Sequence, residues 1–419
     1  MVNGTQNKDA GEATVFTGRV RSRARGTLAT CGVAHFVHDG FSDSLYVLLP
    51  LWAEAFGFNH AQVGLLKTLY SSAMAAFQLP AGVLAERWGQ RGLLVAGTIL
   101  AGCVVMLFGL AGGFAGLLVL VLLSGLSSGV QHPLSSSLVA SAYQSGPRRA
   151  ALGTYNFTGD LGKVAFPLAV AGVAGFAGWR EASFAIGGFG VLAGAGIFFA
   201  LHRFDAGARP SVATDESVDR HPSGWRIRDR RGFSLLASIS IQDSVVRTGF
   251  LTFLPFLLIG KGAEVGTVGF ALALVFAGGA TGKLLCGHLA ERVGIIRTVV
   301  LTEIMTGLGI LCLLVLPLTA ALVLLPLVGL ALNGTSSVLY GTVPEFVDSQ
   351  RQSRAFGLFY TLAIGASAVS PLLSGVLSDA AGLTVTLCVL TAIALAVVPL
   401  AFLLAGSIAA ARTAAQLQD

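Results

Sequence analysis

The segment GVLAERWGQR at residues 82–91 recurs 205 residues later as GHLAERVGII at residues 287–296. Each copy lies where one apolar stretch ends and the next begins, so both predict a short charged loop between two helices. Further identities stand at the same offset: Pro50 with Pro255, Gly129 with Gly334, and RAALGTY at 149–155 with RAFGLFY at 354–360. Several matches at one offset predict a chain of two halves that share one fold.

The composition is typical of a membrane protein. Of 419 residues, 54% are hydrophobic and only 11% are charged, and the mean hydropathy is +0.77. Soluble domains are about 25% charged, and a bilayer core needs about 20 apolar residues per helix. We therefore predict an all-α membrane protein with twelve transmembrane helices in two pseudo-symmetric six-helix bundles. The predicted spans lie near 27–54, 59–84, 92–112, 114–142, 150–177, 180–202, 232–259, 264–289, 296–318, 320–346, 354–378 and 383–408.

The predicted organisation follows from the polar segments between these spans. It comprises a tail at 1–26, bundles at 27–202 and 232–408, a linker at 203–231 and a tail at 409–419. Arginine is concentrated in the first tail, the linker and every second loop, whereas the other loops carry little beyond Arg180 and Lys261. The positive-inside rule places both termini in the cytoplasm. We expect a multi-pass protein of a cell membrane, most simply a bacterial inner membrane, without a cleaved signal peptide.

Motifs for catalysis or cofactor binding are absent from the sequence. The five cysteines stand singly in apolar runs, so neither a disulfide framework nor a CxxC motif is present. No GxxxxGK[ST], GxSxG or HExxH occurs. We therefore expect no enzyme and no cofactor, and a net charge of +6 that contacts anionic lipid rather than nucleic acid.

Polar residues interrupt the first span at AHFVHDGFSDSLY, residues 34–46. Such groups are costly in lipid, so they are expected to line a cavity or contact a partner. Spacings of three and four place several on one helix face, with two more beside it: His35, Asp39, Ser42 and Tyr46, flanked by His38 and Asp43. Histidine titrates near neutral pH and a buried carboxylate can bind a proton. The candidate proton sites are His35, His38, Asp39, Asp43 and, in the seventh span, Asp243.

A divalent-metal site is an alternative interpretation of the same segment. Imidazole and carboxylate groups are ligands for zinc, nickel, cobalt and iron. The donors would be His35, His38, Asp39 and Asp43, and a second helix would have to complete the set.

GVLAERWGQR resembles the signature of the major facilitator superfamily, and the copy at 287–296 resembles it in the second half. The resemblance implies transport by alternating access, with these loops holding the cytoplasmic side closed in one state. The gating residues that it implies are Gly82, Glu86, Arg87, Gly89, Arg91, Gly287, Glu291, Arg292 and Gly294. The alternative is a topological anchor, because any short cytoplasmic loop favours glycine and arginine.

The same resemblance implies a central cavity lined by the first, fourth, seventh and tenth helices. The candidate substrate-binding residues are Tyr46, Gln131, His132, Asp160, Lys163, Gln242, Arg247, Asn333 and Tyr340. Some of them have structural alternatives: internal ion pairs for Asp243 with Arg247 and for Asp160 with Lys163, and capping of a turn broken at Pro133 for His132. Lys67 and Glu303 are expected to snorkel toward the membrane faces.

AHFVHD at 34–39 and GLSSGVQHPLSSSLVASA at 125–142 resemble the fosmidomycin-resistance branch of that superfamily. This branch implies proton-coupled export of a small anionic or zwitterionic organic compound or drug, by a protein that we expect to be a monomer. Proton-coupled uptake of an organic acid needs the same residues and remains an alternative, as does divalent metal transport. A sensor with a transporter fold would differ by showing no substrate-dependent proton movement.

Overall fold

The computed structural model describes residues 6–144, 147–208, 227–347 and 352–416. Nearly all of these residues are helical. The helices are α1 (Gln6–Phe56), α2 (His60–Trp88), α3 (Gln90–Phe108), α4a (Phe114–Ser128), α4b (Gln131–Ala142), α5 (Arg148–Ala177), α6 (Trp179–Arg203), α7 (Arg230–Gly260), α8 (Val265–Val293), α9 (Ile295–Val315), α10 (Leu318–Thr342), α11 (Gln352–Ala381) and α12 (Leu383–Gln416). A turn at residues 129–130 divides α4a from α4b, which together form one span, 114–142.

The twelve predicted spans are confirmed. In the described residues, ten helices are long and apolar enough to cross a bilayer, and α1 and α2 are the two that fall short. Polar residues lower the hydropathy of both helices, among them His35 and Asp39 in α1 and Lys67 in α2. The two helices that do not qualify by composition both carry ionisable groups into the interior.

Two connecting segments differ from simple loops. α1 begins at Gln6, so the predicted tail at 1–26 is helical from that residue onward. α6 ends at Arg203 and α7 begins at Arg230. Most of the predicted linker, 209–226, lies outside the described residues.

Helix packing repeats between the two halves of the chain. In the first half α1 packs on α5, α2 on α4a and α3 on α6, and in the second α7 packs on α11, α8 on α10 and α9 on α12. The halves meet through α2 against α11 and through α5 against α8. These two interfaces exchange under the same repeat, which is the arrangement expected of parallel halves related by an axis along the membrane normal.

Glycine permits close approach at both of these interfaces. A Cβ atom at Gly64 of α2 would collide with the backbone carbonyl of Pro371 in α11. A Cβ atom at Gly269 of α8 would collide with Ala171 in α5. Gly269 stands 205 residues after Gly64, so the repeat places equivalent contacts on both sides of the molecule.

The carboxylate of Asp379, at the end of α11, caps the first turn of α2 in the other half. It accepts hydrogen bonds from the backbone N–H groups of His60 at 2.9 Å and Ala61 at 2.8 Å. Asn59 and Gln62 cap the same turn locally, each accepting a bond from the backbone N–H of the other. The first N–H groups of a helix lack partners within it, so α2 obtains two of its acceptors across the interface. We call this end of the molecule the closed end.

The repeated motif lies at the opposite end, which we call the loop end. Gly89 and Gly294 form the two turns with φ, ψ of 83°, 146° and 102°, 150°, a region that only glycine adopts without strain. Gly82 and Gly287 differ from them, because they lie inside α2 and α8 with open space where a Cβ atom would be. The turn itself thus depends on only one glycine in each copy.

Candidate functional site

The carboxylate of Asp39 in α1 is contacted by basic side chains from three helices. It lies 3.2 Å from Nε2 of His35 in α1, 3.3 Å from Nζ of Lys163 in α5 and 3.5 Å from Nε2 of His132 in α4b. The Asp39 side chain is only 9% exposed. A buried carboxylate requires compensation, and these contacts supply it. The structure thus brings together four residues that the sequence singled out, and His132 points at Asp39 instead of capping its own broken turn.

The hydrogen-bond partner of Nδ1 of His35 determines which atom of the ring faces Asp39. Nδ1 of His35 lies 2.9 Å from the backbone carbonyl of Tyr155, which only accepts, so Nδ1 carries a hydrogen. In a neutral His35, Nε2 would then direct a lone pair at the Asp39 carboxylate. That contact is repulsive unless a further proton lies on either His35 or Asp39. The contact between His35 and Asp39 is therefore favourable only when a proton is bound there.

A second carboxylate, Asp160 of α5, links this group to the other half. Nζ of Lys283 in α8 donates to Oδ1 of Asp160 at 2.6 Å, and Nζ of Lys163 lies 3.6 Å from the same oxygen. Sequence reasoning missed Lys283, because its contact depends on how α8 packs against α5. We call His35, Asp39, His132, Asp160, Lys163 and Lys283 the ionic network.

The basic side chains of the ionic network are more exposed than its carboxylates. The side chains of Lys163, Lys283 and His132 are 29%, 36% and 37% exposed, whereas those of Asp39 and Asp160 are 9% and 13% exposed. The accessible surface of the ionic network therefore belongs mainly to its basic side chains. This arrangement is suited to a small anion.

A metal ion fits the site less well. His35, Asp39 and His132 place ligand atoms within 4.8 Å of one another. The other two expected donors are not part of this group: Nε2 of His38 lies 3.0 Å from the Thr98 hydroxyl, and Asp43 forms no ion pair within the described part of the chain. The ammonium group of Lys163 lies against Asp39, where it would repel a metal cation.

Two other predicted residues of the first half are buried instead of facing water. Gln131 is fully buried and donates to the Tyr155 hydroxyl at 2.9 Å, while the Tyr155 ring stacks on His35 at 4.3 Å. Tyr46 lies beneath the ammonium group of Lys67 at 4.2 Å. Lys67 is itself buried and donates to the Ser42 carbonyl at 3.1 Å, so the expectation that it snorkels is wrong.

The predicted residues of the second half are dispersed. Asp243 and Arg247 form the expected internal pair at 3.5 Å. Gln242 lines a groove of about 490 Å³ between α7 and α12, Asn333 donates to the Gly329 carbonyl of its own helix, and Tyr340 packs on Phe359. The described contacts bring none of these three to the ionic network. Glu303 is 1% exposed, so the expectation that it snorkels is also wrong.

The charged residues at the centre of each motif copy at the loop end are exposed, whereas the glycines are partly or fully buried. Glu86, Arg87, Glu291 and Arg292 are exposed, and the backbone N–H of Arg91 donates to the Gly207 carbonyl at 2.9 Å. Their role in gating remains a prediction.

Sequence comparison assigns both halves to one family. The model of the Major Facilitator Superfamily matches residues 31–262 and 236–416. The chain belongs to this superfamily. Its curated relatives include a probable sulfoacetate transporter of Cupriavidus necator, 25% identical over 81% of this chain and 84% of that protein. A probable 4-methylmuconolactone transporter of Cupriavidus pinatubonensis is 24% identical over 82% of each chain. A gentisate transporter of Corynebacterium glutamicum is 33% identical over 31% of this chain and 29% of that protein.

Solved structures of the superfamily share the fold. A bacterial homologue of the human lysosomal transporter Spinster, in an inward-facing and unoccupied conformation, has a TM-score of 0.78 with 16% identity and covers 93% of this chain and 98% of its own. A peptide transporter in complex with sulfate has a TM-score of 0.74 with 15% identity and covers 92% of this chain and 95% of its own. These likenesses show the fold, and the family assigns the chain as a membrane-spanning, multi-pass transporter.

Proposed function

We propose that this protein is a secondary active transporter that moves a small organic anion together with protons by alternating access. The observation that carries the proposal is the ionic network, in which one buried carboxylate, Asp39, contacts partly exposed basic side chains that could also hold an anion. A channel would not need a buried group whose protonation controls the binding of the substrate.

The network couples the proton to the anion with a definite sign. While Asp39 is ionised, it occupies Lys163 and His132. Protonation of Asp39 removes its charge and leaves Lys163 and the imidazole of His132 available to the anion. The proton and the anion therefore each favour the binding of the other. A transporter with this linkage carries both in the same direction. The geometry therefore favours uptake driven by the proton gradient.

The export suggested by the resemblance to the fosmidomycin-resistance branch requires the opposite linkage. In an exchanger the proton and the substrate compete, so protonation must weaken substrate binding. A cationic substrate meets this condition, because protonation of a carboxylate removes the negative charge that binds it. An anionic substrate does not, because the same protonation removes a repulsion. For an anionic substrate we therefore place uptake ahead of export.

The relatives support the class of substrate. Two of those described above are a probable sulfoacetate transporter and a gentisate transporter, and a further relative, from Escherichia coli and 22% identical, is a probable L-galactonate transporter. All three substrates are organic acids that are anionic at neutral pH. The groups available to hold such an anion are the cations Lys163 and Lys283 and the imidazole of His132, with Arg247 in the second half.

We further propose that the loop end faces the cytoplasm of a cell-membrane monomer. The arginine-rich loops support this orientation through the positive-inside rule. In this orientation the contacts of Gly64 and Asp379 join the two halves at the outer side of the membrane.

Proton movement in proteoliposomes tests the proposal. The purified protein is reconstituted with a pH-sensitive dye inside, and sulfoacetate, gentisate or galactonate is added outside. Co-transport predicts acidification of the lumen by at least one of these anions, and none by potassium chloride. Alkalinisation would establish exchange and overturn uptake. Transport of a divalent cation without any anion-dependent proton flux would overturn the anion proposal.

A further inference from the structure

Two carboxyl groups meet in the interior of the second half. Asp243 of α7 and Glu303 of α9 are 3% and 1% exposed, and their side chains lie within hydrogen-bonding reach of each other. Oδ2 of Asp243 is buried, lies 3.5 Å from Nη1 of Arg247 and has no hydrogen-bond partner within the described part of the chain. Neither Glu303 nor its contact with Asp243 is used by the ionic network.

The internal repeat supports this contact independently. Asp243 stands 205 residues after His38, and Glu303 stands 205 residues after Thr98. In the first half, Nε2 of His38 lies 3.0 Å from the Thr98 hydroxyl. The fold thus forms the same α-helix contact twice, between α1 and α3 and again between α7 and α9. A neutral pair fills it in the first half, and two acids fill it in the second.

The charges around the two acids do not balance if both are ionised. Arg247 of α7 lies 3.5 Å from Asp243, and it is the one cation that the described contacts place against the pair. Glu303 also contacts an uncharged group, the hydroxyl of Thr335 in α10. Two carboxylates with one guanidinium would leave a buried negative charge, which is costly.

Hydroxyl directions favour an acid at Glu303. The Thr302 hydroxyl donates to the backbone, at 3.0 Å from both the Thr298 and Val299 carbonyls, so it accepts from the Thr335 hydroxyl at 2.7 Å. A hydroxyl has one hydrogen. Thr335, having used its own, faces Glu303 as an acceptor. A protonated Glu303 can donate to this acceptor.

We propose that Asp243 and Glu303 form a second proton-binding site, with one proton held on Glu303 and shared with the ionised Asp243. This site is separate from the ionic network in the first half. Its occupancy does not depend on what the protein carries, but its use in transport rests on the proposed function. It provides a transporter of this design with a titratable group in each half.

Infrared spectroscopy of the purified protein tests the site without a transport assay, because a protonated carboxyl group has a carbonyl band that carboxylates and amides lack. The background variant is Asp39→Asn, which removes the proton of the ionic network. At neutral pH we expect a protonated-carboxyl band in this background that is lost on adding Glu303→Gln. The matched control is Glu264→Gln, at an exposed glutamate at the start of α8, which should leave the band unchanged.

A second variant covers the case in which Glu303→Gln fails to fold. Asp243→Asn leaves one acid and one guanidinium, so Glu303 should ionise and the band should again be lost. A band of unchanged intensity in the folded variant or variants would overturn the proposal. Such a result would leave the proposed transport function untouched, since that function depends on Asp39.

Discussion

The ionised carboxylate of Asp39 competes with the anion for the same basic side chains, and Asp39→Asn imitates the protonated form of this residue. We expect this variant to bind the anion and to exchange it between compartments down its gradient. It should lose accumulation driven by a pH gradient, because the site no longer changes charge. Accumulation and exchange of a radiolabelled anion in proteoliposomes measure the two activities separately.

The control for this substitution is Asp205→Asn, at an exposed aspartate after α6. It should accumulate anion as the wild type does. Wild-type accumulation by Asp39→Asn would place the coupling proton elsewhere, and the acids of the second half would be the next to test.

Lys163 and Lys283 provide a separate prediction, because each contacts Asp160 from a different half. Lys163→Gln and Lys283→Gln should each weaken anion binding by about 10-fold or more, since a hydrogen bond to a charged group contributes about 1.5–3 kcal/mol. Isothermal titration with the transported anion measures the loss. Lys261→Gln is the matched control, because Lys261 donates to the carbonyls of Leu314 and Leu316 at the end of α9, away from the ionic network. Unchanged affinity with lowered stability would indicate purely structural ion pairs.

The sequence predicted the first-half residues of the ionic network and not its member from the second half. His35 and Asp39 share a helix face by spacing, and the cost of charges in lipid required partners for them. Lys283 has no such pattern in its own helix. Its role depends on the packing of α8 against α5, a long-range contact that the periodicity of one helix does not specify.

At the scale of elements, the turn glycines are the clearest test of why the motif repeats. Gly294→Ala should destabilise the protein by about 1–3 kcal/mol, because its φ and ψ lie in a region that other residues occupy only with strain. Gly287→Ala, in the same motif but inside α8, should be neutral or slightly stabilising, since alanine favours helices. Thermal unfolding in detergent compares the two. Equal effects would show that the backbone of the turn relaxes easily.

Hydropathy predicted the helices because lipid requires every spanning segment to be apolar and internally hydrogen-bonded. It did not predict that α1 starts at Gln6, where the residues are polar and the helix has no hydropathic signal. It also led to the wrong placement of Lys67 and Glu303. A charge in an apolar run can snorkel or be buried with partners, and only the packed neighbours decide between the two.

At the scale of the whole molecule, glycine contacts hold the closed end together. Gly64→Ala should force α2 away from α11 and lower the population of the closed end by about 10-fold or more, since overpacking costs about 1–3 kcal/mol. Spin labels at the exposed positions 55 and 381, in a cysteine-free background, would measure the change in distance across the interface. Gly82→Ala, in open space on the same helix, should leave the distances unchanged. Identical distance distributions for both variants would exclude this interface as the outer gate.

The arginines of the loop end would act on the opposite gate. Arg87→Ala and Arg292→Ala should slow turnover more than they weaken equilibrium binding of the anion, because they would stabilise one closed state without contacting the substrate. Initial transport rates and binding isotherms measured on the same samples distinguish the two. Unchanged rates in both variants would leave the motif as a topological anchor.

Asp379 provides the protein with a built-in reporter of its own motion. The amide hydrogens of His60 and Ala61 are bonded to a carboxylate of the other half, whereas that of Gln62 is bonded locally to Asn59. When the halves separate at this end, the first two amides lose their acceptor and exchange with deuterium from the solvent, and the third remains protected. The ratio of these neighbouring exchange rates therefore gives the fraction of time for which the closed end is open, without an attached probe.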